Sequence, residues 1–330
     1  MSAHSDGTIT APLTGLSAVR LLAALTDNEA EASAAWKAWR NSVDIGHLAW
    51  SDMQILPVLN GPLMEEWLAG DSAGGVLKGI VRRAWSEAQV RLAVAREVVN
   101  GLNQAGCGSV TLIGAVGAYL RSVQSTAIRP VLELRMLIPR QNLALAASLL
   151  EAAGWQPRDK LPVGDWLNRM THVLYNRNGT RLYLHWRVLQ VRERHAEACE
   201  REFLAGRRTV EAIGTSFRIL SYGHALLETL AERAESVDVL AWQADSALIL
   251  RENEREGEPI DWAHWSAIAA RYQPHVFERI PELRTMGLDI PELRQTTAWA
   301  GVLPVGQSVQ TWLNSVRSWA RRISAAVGKA

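Results

Sequence analysis

Near the middle of the sequence, Glu133 and Arg135 stand two positions apart in the run Val131, Leu132, Glu133, Leu134, Arg135, Met136, Leu137, Ile138. The alternation reads as a strand, which sends both side chains from one face roughly 6–7 Å apart. An extended arginine spans that gap, so a plain ion pair on the sheet surface is one reading. In the other, Arg135 contacts a phosphate or carboxylate and Arg129 adds a second guanidinium fork. Tyr183 and His185 repeat the two-residue spacing farther on, so they too can share a face. A histidine there orients a base or moves a proton, or else it is a hydrogen-bonded residue at the core edge. Gly114 and Gly117 form Gly-x-x-Gly where a short apolar run meets a helical pattern. The stretch lacks the lysine and hydroxyl of a phosphate-loop motif, and a tight turn with close helix packing accounts for it.

Motifs for metals and nucleophiles are missing. His172 opens a hairpin pattern, His195 and His224 stand alone on helical patterns, and no His-x-x-x-His pair occurs. Neither a zinc enzyme nor another metal site is expected. Cys107 and Cys199 have no ligand spacing and make no disulfide framework. Asp261 reads as a helix N-cap, and His264, between Trp262 and Trp265, as part of a helix-packing cluster.

The elements that position these residues follow from composition and periodicity. The chain has 330 residues, 48% hydrophobic and 21% charged, which is a globular balance. With 35 basic against 34 acidic residues, no overall field calls for nucleic acid. No uncharged apolar run is long enough to span a membrane, and the first residues lack a secretory pattern, so a cytoplasmic location is expected. The 14 Trp against 3 Phe suit packing between helices, with a nucleobase or peptide platform as the alternative.

Residues 1–14 read as a loose tail, and a helical pattern runs from Leu16 to about Arg40. Val81, Ala84, Ala88, Leu92, Ala95 and Val99 keep a 3.6-residue period and predict a long helix over 77–102. A strand is expected at 109–113, a helix at 116–123, a strand within 131–138 and a helix at 141–153. Two extended segments joined by Asn-Arg-Asn-Gly then predict a hairpin across 171–188. From Thr209 the chain reads as helical again, including Phe217 and Leu220. In the last segment Trp312, Val316, Trp319 and Ile323 line one face beside Arg317, Arg321, Arg322 and Lys329. That basic amphipathic helix packs on the domain, or touches a membrane surface or a partner.

Taken in order, these segments resemble the uncharacterised bacterial nucleotidyltransferase family 5 of the polymerase-β superfold. The resemblance rests on "QILPVLN" at 54–60, "TLIGAVGAYL" at 111–120, "RPVLELRMLI" at 129–138, "LLEAAGW" at 149–155, "RLYLHWRV" at 181–188, Asp245, and "IDWAHW" at 260–265. It spans roughly residues 45–275. It implies an α+β fold: a polymerase-β-like nucleotidyltransferase core with a small mixed sheet, flanked by extensive helical N- and C-terminal regions. The expected division is a tail at 1–14, helices at 15–105, the mixed core at 106–205 and helices at 206–330. The two helical regions are expected on either side of the sheet.

The resemblance also implies a chemistry. The family sets an Asp-x-Asp on one strand and a third acid on the hairpin strand to hold divalent ions, with a glycine that lets phosphates approach the backbone. Here the matching positions are Glu133, Arg135, Tyr183 and Gly114, and the lysine before that glycine is Ile113. Arginine cannot ligate Mg²⁺ and brings a positive charge to its place. The expectation is therefore a nucleotidyltransferase-like protein with degenerate catalysis, serving as a ligand- or partner-binding accessory in a bacterial biosynthetic pathway. The alternative is an active transferase with a cleft rebuilt around Glu133, Arg135, Tyr183 and His185, with Gly114, Gly117 and Arg129 at the nucleotide. No cofactor is required by the first reading; a nucleoside triphosphate with Mg²⁺ belongs to the second. A protein or peptide partner is expected, nucleic acid is not.

Overall fold

The computed structural model describes residues 21–293, apart from Leu22, Asp27, Ser109, Gln124, Lys160, Pro162, Val163, Asp165 and residues 232–240. Its strands are β1 (Thr111–Ile113), β2 (Leu134–Leu137), β3 (Gln156–Pro157), β4 (His172–Arg177), β5 (Thr180–His185), β6 (Arg207–Ala212) and β7 (Thr215–Leu220). The helices are α1 (Glu29–Arg40), α2 (Trp50–Ile55), α3 (Pro62–Leu68), α4 (Gly74–Gln104), α5 (Gly114–Arg121), α6 (Leu143–Ala152), α7 (Trp166–Arg169), α8 (Glu193–Ala205), α9 (Tyr222–Ala231), α10 (Ala241–Glu256), α11 (Trp262–Tyr272) and α12 (Ile280–Thr285).

The strands form one mixed sheet in the order β3-β4-β5-β2-β1-β7-β6. β1 runs antiparallel to β2 and parallel to β7, and β2 runs parallel to β5. This is a mixed-sheet core flanked by helical N- and C-terminal regions, consistent with the polymerase-β-like nucleotidyltransferase fold. The Asn178-Gly179 turn holds both residues at positive φ, 52° and 77°, which a two-residue hairpin between β4 and β5 needs.

Strand alternation splits the interior in two. Leu112, Leu134, Met136, Leu182, Leu184, Phe217 and Ile219 face a cluster completed by α5, α6 and the second half of α4. Ile113, Leu137 and Leu220 point the other way, into a cluster shared by α1–α3 and α9–α12. The first helices therefore join the C-terminal ones in a single core, contrary to the expected placement on opposite sides. Of the described N-terminal helices, the later part of α4 alone joins α5 and α6 on the far face.

Two other expectations change. Residues 209–220, read as helix, belong to the β6–β7 hairpin: Phe217 and Ile219 alternate inward along a strand. The turn is Ile213-Gly214, both at positive φ, a pairing that the β-branched residue hides from sequence inspection. The helix expected up to Arg40 breaks near Thr26, where the Asn28 side chain accepts the Ala30 and Glu31 N–H groups and caps α1. The tail at 1–14 and the basic amphipathic segment from Trp312 to Lys329 lie outside the described residues.

Several tryptophans pack as core residues and keep a polar partner, while Trp50 and Trp85 are exposed. Trp36 stacks on Trp67 at 5.1 Å and tilts on Trp39 at 5.0 Å. Trp67 donates to Ser33 Oγ, Trp186 to the Leu167 carbonyl and Trp265 to the Gly223 carbonyl, each at 3.0 Å. Among the described residues, no helix is long and apolar enough to cross a membrane.

Candidate functional site

The register brings the sequence-selected residues together. Arg135 lies opposite Ile113 on β1 and opposite Tyr183 on β5, while His185 lies opposite His172 on β4. Glu133 precedes β2 by one residue and is buried. Its Oε1 accepts Nε–H of Arg135 at 2.8 Å and lies 2.8 Å from the same residue's second guanidinium nitrogen. Oε2 lies 3.7 Å from Arg181. The carboxylate is thus held between two guanidinium groups, the ion pair that strand spacing allows.

Aromatic groups surround this pair. The Arg135 guanidinium carbon sits 5.9 Å from the centre of the Tyr183 ring. His172 contacts Tyr183 at 5.2 Å and His185 at 4.7 Å between ring centres. Burial, reinforced by the Glu133 charge, raises the Tyr183 phenol above its usual value. His185 is 8% exposed, and its Nδ1 lies 3.4 Å from the Arg187 carbonyl. Its Nε2 is buried with no hydrogen-bond partner among the described residues. Burial first, then the charges of His172 and Arg135, push this imidazole well below its ordinary value of 6.5.

That shift has a sign. A neutral buried imidazole refuses the proton that the unfolded chain takes up below about pH 6.5, so stability falls as pH drops through that value. His185→Gln is expected to reduce the acid-side slope by up to about 1.4 kcal/mol per pH unit. Chemical denaturation across that range measures it. An unchanged slope would show that His185 accepts the proton in the fold.

Gly114 does not face open space. It has φ +63°, and a Cβ there would stand 2.9 Å from Cδ of Arg135 and 3.5 Å from two guanidinium nitrogens. The arginine stem therefore lies across the glycine that closes β1. Gly117 makes a different approach: its added Cβ would meet the Leu112 carbonyl at 3.0 Å, so it lets α5 pack tightly on β1. Arg129 pairs with a different carboxylate. It is buried, its Nε and one terminal nitrogen donate to both carboxylate oxygens of Asp245 on α10, and the other nitrogen donates to the Pro130 carbonyl at 2.8 Å. The second fork expected near Arg135 is engaged by Asp245. The cysteines supply no nucleophile: both thiols are buried, and desolvation pushes Cys199 up to about 12.

Residues 75–279, well over half of the chain, match the family described as uncharacterised nucleotidyltransferase. The chain belongs to that family. Comparison with curated proteins gives no match. Among solved structures, the chain is similar to that of the antibiotic-resistance factor ANT(2'')-Ia, with 10% identity, a TM-score of 0.33, and coverage of 55% of this chain and 95% of that one.

Metal-dependent transfer in this superfold needs several carboxylates around divalent ions. The sheet cluster does not fit that need. Among the described residues it offers one carboxylate, Glu133, already paired with Arg135 and near Arg181. A unit charge about 4 Å from another costs on the order of 4 kcal/mol near a protein surface, and a divalent ion doubles the repulsion from each guanidinium.

A second polar cluster was missed by sequence inspection. Glu202 on α8, His224 on α9 and His264 on α11 bring one ligand atom each within 4.8 Å of one another and could coordinate a metal ion. The residues are 22 and 40 positions apart, so no local spacing announces them. His224 reads as a lone helical histidine and His264 as a packing residue; His264 is in fact exposed beside Glu202.

Proposed function

We propose that this nucleotidyltransferase-family chain has lost metal-dependent nucleotidyl transfer and works as a ligand- or partner-binding accessory protein. The observation that carries the reading is the Glu133–Arg135 ion pair lying across Gly114. On the family resemblance Arg135 would bring a cation to a position that otherwise carries a metal-binding carboxylate, and Tyr183 would match the remaining acidic position. A protein or peptide partner in a bacterial biosynthetic pathway fits such a role. The test is transfer itself. With Mg²⁺ and each of the four nucleoside triphosphates, pyrophosphate release should stay at the level given by the Glu133→Gln variant. Release that this substitution abolishes would overturn the proposal.

One observation favours a second reading, a working cleft rebuilt around Glu133, Arg135, Tyr183 and His185. The unpartnered Nε2 of His185 leaves a buried polar atom with unmet hydrogen-bonding capacity. In that reading a nucleoside triphosphate, with Mg²⁺, reaches this atom and Arg135 contacts its phosphates.

A further inference from the structure

We propose that Glu202, His224 and His264 form a site for a zinc-class divalent cation, with three protein ligands and one open position. The site does not depend on the sheet cluster or on the proposed loss of transfer. Both histidines present Nε2 to the same carboxylate oxygen, Oε1 of Glu202, at 3.0 Å from His224 and 2.8 Å from His264. A tetrahedral zinc ion with bonds of about 2.0–2.1 Å separates adjacent ligand atoms by about 3.3 Å. The two gaps from Glu202 to the histidines must therefore open by a few tenths of an ångström, and all three ligand atoms already lie within 4.8 Å of one another. Two imidazoles and one carboxylate are the ligand set of hydrolytic zinc centres, which keep water in the fourth place. The same set suits Mg²⁺ poorly, because that ion prefers oxygen ligands.

The surroundings hold the ligands as a metal site requires. Nδ1 of His224 lies 2.8 Å from Ser221 Oγ, so the ring can donate there and turn an unprotonated Nε2 toward the ion. The His224 ring packs edge-on against Phe203 at 5.1 Å and directly over the Gly206 backbone, where a Cβ would overlap it. Both histidines sit in the first turns of their helices, α9 and α11, where the positive helix end disfavours an imidazolium. His264 is exposed, which gives solvent access to the fourth position. Without an ion, Glu202 simply accepts two imidazole N–H groups. That closed hydrogen-bond network is the competing account.

The experiment uses full-length protein stripped with a chelator, then titrated with Zn²⁺ by calorimetry and with Co²⁺ as an optical probe. The proposal expects one ion per chain, the visible absorption of tetrahedral cobalt and a raised melting temperature with Zn²⁺. His264→Ala, an exposed change that leaves the Asp261 cap untouched, should weaken binding by about tenfold or more, and Glu202→Gln should do the same. Circular dichroism confirms that both variants fold. No cobalt band in the wild-type protein, or binding unchanged in both folded variants, would overturn the site.

Discussion

Replacing Arg129 with methionine is expected to lower stability by about 3–5 kcal/mol. Arg129 is 2% exposed and Asp245 6%, and the two meet through both carboxylate oxygens. The pair joins the segment before β2 to α10. Methionine restores most of the volume but leaves a buried carboxylate without this cation and the Pro130 carbonyl without its donor. The measurement is the midpoint of urea unfolding at constant slope. The double variant Arg129→Met/Asp245→Leu should recover much of the loss, since an apolar pair often replaces a buried ion pair at little cost. A single-variant loss below about 1 kcal/mol, the range of surface pairs, would show that this pair does not join the two regions.

Gly206→Ala should destabilise by about 1–3 kcal/mol or more, for a purely steric reason. Gly206 has φ −78°, which alanine adopts freely, so backbone strain contributes nothing. The added methyl would occupy the His224 imidazole. That ring cannot easily retreat, because Ser221 and Glu202 hold its two nitrogens and Phe203 packs against it. Adding His224→Ala removes the overlap, so the two losses should be far from additive in a double-mutant cycle. Additive losses would mean that the methyl is accommodated elsewhere.

The sequence carried the core of the fold well where local rules agree. The long period of α4, the Asn-Gly turn between β4 and β5, and the alternation around Glu133 and Arg135 each reappear as expected elements. The β6–β7 hairpin was hidden because Ile213 occupies a turn position that ordinarily advertises itself with Asn or Gly. The convergence of Glu133, Arg135, Tyr183 and His185 was legible because alternation put each pair on one face of its strand and the family resemblance put the two strands in one cleft. What Arg129 does was not, since its partner Asp245 lies 116 positions away on another element. The Glu202, His224 and His264 cluster escaped for the same reason: three helices supply one ligand each, and only tertiary packing brings them together.

The most direct test of the central claim, that Arg135 has taken the metal's place beside Glu133, is calorimetric titration of the protein with ATP, GTP, CTP and UTP, with and without Mg²⁺. Mg²⁺ is expected to add nothing to the affinity for any of them. Metal-independent binding that Arg135→Ala abolishes would identify the cleft as a repurposed anion site. Tight binding that requires Mg²⁺ and disappears in Glu133→Gln would show that Arg135 has not displaced the metal, because Glu133 would then be holding the ion despite its arginine.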